Sequence, residues 1–255
     1  MADFVSAWTD SLSPEGEAIA EALPFRKDIV TMMKYVHDNK VVGTKATGNF
    51  PRKHIRGIAE KFVIPPEVDT KIGDRVYKLR SEDEMPDFQF IHQFSNFCEL
   101  ILGGEGMRWH VSIIGDIFLN SEPKNQVWFL MKNWMTKFDW YFWYRFDNVE
   151  SSLDLSDFIA LIINLLLSYP AQEPIAIEKF VKDLDQLDPD WVHFNHTTFY
   201  INLKKYYLLH IVVKPLELLG IIQTIGTKIE EINLYDVSQI MVTEFGKHLL
   251  NEFIN

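Results

Sequence analysis

Apolar residues in this chain recur at two spacings. Between residues 23 and 40 they fall at Ile29, Met32, Met33 and Val36, the three-four-seven spacing of one helix face. The β-branched "VVGTK" reads as a short strand, and "TGN" after it as a turn, because Gly and Asn tolerate positive φ. Pro51 suits the first position of a helix, where its missing N–H costs nothing. In that helix Ile55, Ile58, Ala59 and Phe62 point inward, and Arg52, Lys53 and Arg56 share the exposed side. Residues 63–80 hold a Pro-Pro turn and a small hairpin about Gly73-Asp74. Ser81 opens "SEDEMPDF", a helix start with acids in its first turn; the pattern carries this helix to about Leu102 and stops it at Gly103-Gly104. "MRWHVS" reads as a short β-wing, "SIIGDIFLN" as a helical piece, and "KNQVWFLMKNWMTKF" as a helix with Val127, Leu130, Met131, Trp134 and Phe138 inward.

The second half has the same plan. A helix over 153–169 is followed by a short strand in "PAQEPIAI", a helix in "IEKFVKDLDQL" and an insertion, "DPDWVHFNHTTFY". "LKKYYLLHIVVKPLELLG" is a third helix ending at Gly220, then a hairpin wing, then "TEFGKHLLNEF" capped by Thr243. "VSIIGDIFL" from Val111 and "VTEFGKHLL" from Val242 match at an offset of 131: Val111 with Val242, Ser112 with Thr243, Gly115 with Gly246, Leu119 with Leu250. Helix, short strand, helix, helix and two-stranded wing, given twice, predict a mainly α chain with small β-wings (α+β), built as two tandem winged-helix units. The expected divisions are an acidic segment 1–25, a first unit 26–122, a linking helix and aromatic block 123–149, and a second unit 150–255.

Charge changes this picture in one place. The chain has a formal net charge of −11. Residues 26–80 nevertheless carry thirteen Lys or Arg against six acids. Attraction to a phosphate backbone is therefore confined to the first unit. The residues expected to supply it, between 45 and 80, are Lys45, Arg52, Lys53, Arg56, Arg75, Lys78 and Arg80. A solvated face that balances acidic neighbours explains the same residues, and one feature favours it. The third helix usually enters the groove in a winged helix, and "PDFQFIHQFSNFCELIL" has no Lys or Arg.

"TGNFPRKHI" resembles the T-x-x-G-N-[LI]-P-[RK] stretch of tandem winged-helix proteins of bacteria and archaea. Among these are uncharacterised plasmid-type ORF-3-like proteins and the helicase-associated winged-helix regions of XPB-like helicases. "KPLELLGII" followed by "VTEFGKHLL" is similar to their final helix, wing and T-x-x-G-x-x-L-L ending. The resemblance spans most of 26–255 and implies the tandem winged-helix fold, without any catalytic residue to carry over. No G-x-x-x-x-G-K-[ST] loop occurs, so ATP hydrolysis is not implied.

Other chemistry is thin. Seven of the nine residues in "FDWYFWYRF" are aromatic. Phe138, Trp140, Phe142, Trp143 and Phe146 are expected to form an inter-domain core, with base stacking or a protein pocket as alternatives. His193 and His196 lack a third ligand for zinc, and "DLDQLDPD" lacks the Gly and terminal Glu of a calcium loop. The single cysteine, Cys98, lies on an apolar helix. No nucleophile motif or cofactor fingerprint is present, so neither an enzyme, a metal nor a cofactor is expected. The longest apolar run, "FIALIINLLLSY", is too short for a bilayer, and the N-terminus is acidic rather than signal-like. The expectation is a cytoplasmic regulatory or assembly protein that meets DNA or RNA through residues 45–80. The alternative is a protein-interaction or homodimerisation scaffold that touches no nucleic acid.

Overall fold

The predicted helices form where the apolar stripes lie. The computed structural model describes residues 14–73, 75–136, 149–150, 155–191, 193–194, 204–205, 208–229 and 234–254. These are mainly helical with small antiparallel sheets. They divide into two compact units: residues 20–130, and residues 131–255 with the start of the first helix.

The first unit takes in the end of α1 (Pro14–Ala22), followed by α2 (Pro24–Asp38) and α3 (Arg52–Ala59). A hairpin, β1 (Thr70–Ile72) with β2 (Arg75–Tyr77), separates α3 from α4 (Pro86–Phe97). Then come β3 (Ile101–Gly104), β4 (Met107–Val111), α5 (Ile113–Leu119) and α6 (Pro123–Thr136), within which the division between the units falls. Ile29, Met32, Met33 and Val36 of α2 are fully buried, as their spacing requires. They join Ile55 and Ile58 of α3 and Phe88 and Phe94 of α4 in one core. The strand expected in "VVGTK" is a single bridge, Val42 to Arg108, flanked by Trp109 N–H to Val41 O and Gly43 N–H to Met107 O, each 2.9 Å. Residues 41–43 thus line the edge of β4 opposite β3.

The helix read as running to about Leu102 ends earlier, at Phe97. Leu100 N–H turns back to Ser95 O at 2.9 Å, and Glu99 takes the left-handed backbone, φ +57, that closes a helix. The glycines serve another purpose. Gly103 lies in β3 beneath Trp109, where a Cβ would collide with the indole.

The second unit holds β5 (Val149–Glu150), α7 (Leu155–Ser168), β6 (Pro174–Ala176), α8 (Ile177–Leu187) and β7 (His193–Phe194), the last paired with β5. The expected third helix is not one continuous α-helix. A π turn, Leu209–Val213, leads into α9 (Lys214–Leu218). Pro215 has no N–H for the carbonyl four residues back, and the wider turn accommodates that loss. The hairpin is β8 (Ile222–Ile229) with β9 (Leu234–Val242), β6 pairs on the other side of β9, and α10 (Glu244–Ile254) follows.

Both units close their hairpins with the same set of bonds. Ile101 pairs with Val111 in one, and Ile222 with Val242 in the other. Ser112 N–H donates to Leu100 O at 3.1 Å, and Thr243 N–H to Ile221 O at 3.0 Å. Each hydroxyl then accepts the N–H three residues on: Gly115 N to Ser112 Oγ is 2.9 Å, and Gly246 N to Thr243 Oγ1 is 2.7 Å. Each also donates backwards, Ser112 to Glu99 O and Thr243 to Gly220 O. Glu99 and Gly220 both have positive φ. The glycines are needed because a Cβ at Gly115 would strike Leu100 O, and one at Gly246 would strike Ile221 O. Gly115→Ala and Gly246→Ala should therefore each cost about 1–3 kcal/mol, the usual range for overpacking. Urea unfolding of each variant measures this, and a loss below about 0.5 kcal/mol in either would show that the close approach is not maintained.

Candidate nucleic-acid interface

The basic stretch sits on a loop clasped from beneath. Glu82, fully buried, places one carboxylate oxygen on Phe50 N–H at 2.9 Å and the other on His92 Nδ1 at 2.6 Å. A buried carboxylate left without partners costs several kcal/mol, so this pairing determines where the loop must lie. The His92 ring lies 4.0 Å from Phe50 and 4.5 Å from Trp109, centroid to centroid. Trp109 donates its indole N–H to Gly48 O at 2.9 Å. Asp83 adds a second clasp, accepting from Asn49 at 3.1 Å and from Gln89 at 2.8 Å. "TGNF" is thereby held against α4, and Pro51 enters α3 directly from it. Gly48, at φ +75, adopts the turn that lets the loop approach Gly104.

This geometry displays some of the expected cations and ties down others. Lys45 is exposed at the turn, and Arg52 and Lys53 are exposed in the first turn of α3. Arg75 and Lys78 are exposed on and just after β2. None of these five makes an ion pair among the described residues. Arg56 is not free like its neighbours. It is half-buried and bound to Asp69, whose carboxylate also accepts Leu79 N–H at 3.0 Å. The bond raises the Arg56 pKa and holds the Asp69 carboxyl below its usual range. Arg80 is bound at 2.7 Å to Glu84. One carboxylate, Asp69, thus fastens both ends of the hairpin connection to α3 and brings Lys78 alongside. Burial, then the Lys53 charge, lowers the pKa of His54, which lies 3.1 Å from Tyr35 Oη.

Two features of α3 favour an anion. Its N-cap, Pro51, makes no side-chain capping bond. Arg52 and Lys53 stand where the helix dipole is positive, an unfavourable arrangement that an anion would relieve. The first turn of α8, in the second unit, instead carries an acid, Glu178, paired at 3.0 Å with Lys205.

Sequence reading missed Asp69, Glu82 and His92. The acids of "SEDE" looked like ordinary first-turn residues. The only hint was His92 on a helix otherwise lined with Phe and Ile. Phe138, Trp140, Phe142, Trp143 and Phe146 lie outside the described residues, as does His196. Among the described residues no three His, Cys, Asp or Glu gather as a metal site, and no helix is long and apolar enough to cross a membrane. In "DLDQLDPD", Asp183 accepts from Tyr169 at 2.6 Å, and Asp185 binds Lys204 and the Trp191 indole N–H. An apolar cavity of about 20 Å³ in the second unit, lined by Trp134, Phe158, Ile162 and Val212, has room for one water at most.

Two outcomes follow from the buried acids. His92→Leu removes one of the two partners of the buried Glu82 carboxylate and should cost about 1–3 kcal/mol in denaturant unfolding, the range for a buried acceptor that loses its donor. Asp28 accepts Val63 N–H at 2.7 Å, yet burial pushes its pKa up to about 6. The folded state then holds a proton that the unfolded state releases near pH 4, so stability falls as pH rises from about 4 to about 6, by at most about 3 kcal/mol. Asp28→Asn keeps the acceptor and should remove that slope from unfolding curves taken across this pH window.

No protein-family model, no curated protein and no solved structure matches the chain.

Proposed function

We propose that this chain is a non-catalytic pair of winged-helix units, a regulatory or assembly module that contacts nucleic acid through its first unit alone. The observation that carries the reading is the clasped loop, which holds Lys45, Arg52 and Lys53 in the open, in a unit whose α3 is tied through Arg56 to the base of the hairpin that bears Arg75 and Lys78. The fold assignment is supported by the shared order of helix, strand, helix, helix and wing, and by the matching closure at Ser112 and Thr243. A salt-sensitive phosphate contact suits such a surface, since neutralised phosphates release counterions. Groove reading by α4 does not fit. Six of its residues are buried, and the acids Asp83, Glu84 and Asp87 stand at and before its start.

A second reading, a protein-interaction or dimerisation scaffold, draws on one observation. Ile113 and Ile117 of α5 are 72% and 44% exposed, whereas Glu244 and His248 occupy the corresponding places in α10.

The two readings separate in a duplex DNA titration at several salt concentrations. Arg52→Glu with Lys53→Glu leaves the Arg56–Asp69 bond intact and should keep the wild-type circular dichroism. It should abolish binding, and each lost phosphate contact lowers the salt slope by about 0.9. Equal binding by both proteins would remove the patch from consideration. No binding of duplex or single-stranded DNA by wild type at about 50 mM salt would favour the scaffold.

A further inference from the structure

The exposed residues of the β1–β2 hairpin are not only cationic. Arg75, Val76, Tyr77 and Lys78 are four consecutive exposed residues, with Val76 58% and Tyr77 51% open to solvent. A phosphate backbone explains Arg75 and Lys78 but offers nothing to an aliphatic side chain and a phenol ring. The hairpin is two-stranded, so no further strand covers its edges among the described residues. It is nevertheless anchored, because Asp69 receives both Arg56 and Leu79 N–H at its base. The ring of Tyr77 is therefore presented on a supported element, on the same strand face as Arg75, and the base of that element is tied to α3 through Arg56.

Resting on the nucleic-acid reading above, we infer that this hairpin is a platform for single-stranded nucleic acid, with Tyr77 stacking on an unpaired base while Arg75, Lys78, Arg52 and Lys53 follow the backbone. Base–aromatic stacking combined with a basic track is the usual means of holding single strands, and it tolerates any sequence because every base has a π-face. In a duplex the bases are already stacked and Tyr77 has no such partner. The element that would read a duplex groove, α4, has its exposed start lined with Asp83, Glu84 and Asp87, which repel phosphate. Charge complementarity and the exposed ring thus select the same occupant, and they select it over a duplex.

The test is fluorescence anisotropy on the full chain with a labelled single-stranded DNA of roughly 16 nucleotides, and with the same strand annealed to its complement. The expected result is tighter binding of the single strand. Tyr77→Ala should weaken that binding by roughly tenfold and leave duplex binding unchanged, while Tyr77→Phe keeps wild-type affinity. Tyr77 is exposed, so circular dichroism should show both variants folded. Duplex binding as tight as single-strand binding, or a silent Tyr77→Ala, overturns this inference but leaves the parent reading standing if Arg52→Glu with Lys53→Glu still abolishes binding. No binding of either form by wild type at low salt overturns both.

Discussion

A carboxylate with no exposure to water cannot be left without partners, and Glu82 is fully buried. Its two oxygens reach in opposite directions along the chain, to Phe50 N–H and to His92 Nδ1. The loop that leads into α3 is placed by this interaction. The loop from Thr44 to Phe50 is drawn onto α4, and the entry angle of α3 is set by Pro51 immediately after it. Phe50 then packs against Phe88, His92 and Trp109, so the polar clasp lies within an aromatic shell that excludes water. The low dielectric of that shell strengthens the pair and also makes its rupture costly. Cations displayed above such a base have little freedom to retreat, and for that reason they can serve as a surface of defined geometry.

The second unit uses the same backbone solution without the same surface. The pairs before each hairpin, Leu100 with Ile221 and Ile101 with Ile222, are 121 residues apart, and those after it are 131 apart, so the second hairpin is longer by ten residues. The elements that must satisfy buried N–H and C=O groups coincide: a hydroxyl cap, a carbonyl against a glycine, a left-handed residue at the helix end. Outward positions diverge freely because nothing in the core constrains them. In the second unit Lys179 and Lys205 are spent on Asp183 and Glu178, whereas Lys45, Arg52, Lys53, Arg75 and Lys78 of the first unit are free among the described residues.

Periodicity and punctuation determined much by themselves. The stripe Ile29–Met32–Met33–Val36 can be buried only as a helix face. "IEKFVKDLDQL" is α8 residue for residue. Gly73 marks the hairpin turn, and the hydroxyls at 112 and 243 cap the helices assigned to them. These are local consequences of sterics and of the need to bury apolar surface on one side. The location of Lys45, Arg52, Lys53, Arg75 and Lys78 at the surface follows from the same reasoning.

Other features were settled only when distant segments met. Gly103 and Gly104 look like a helix stop in a one-dimensional reading, but Trp109 needs the space above Gly103, and Glu99 accepts the left-handed turn instead. Arg56 has the spacing of an exposed residue, and Asp69, thirteen positions away, claims it. Glu82 looks like a first-turn acid until Phe50, thirty-two residues earlier, and His92, ten residues later, close around it. In each case the deciding partner is remote in sequence. A residue's own neighbours specify its backbone preference and its face, whereas a charge or a buried polar atom is satisfied by whatever group the tertiary fold brings within hydrogen-bonding distance.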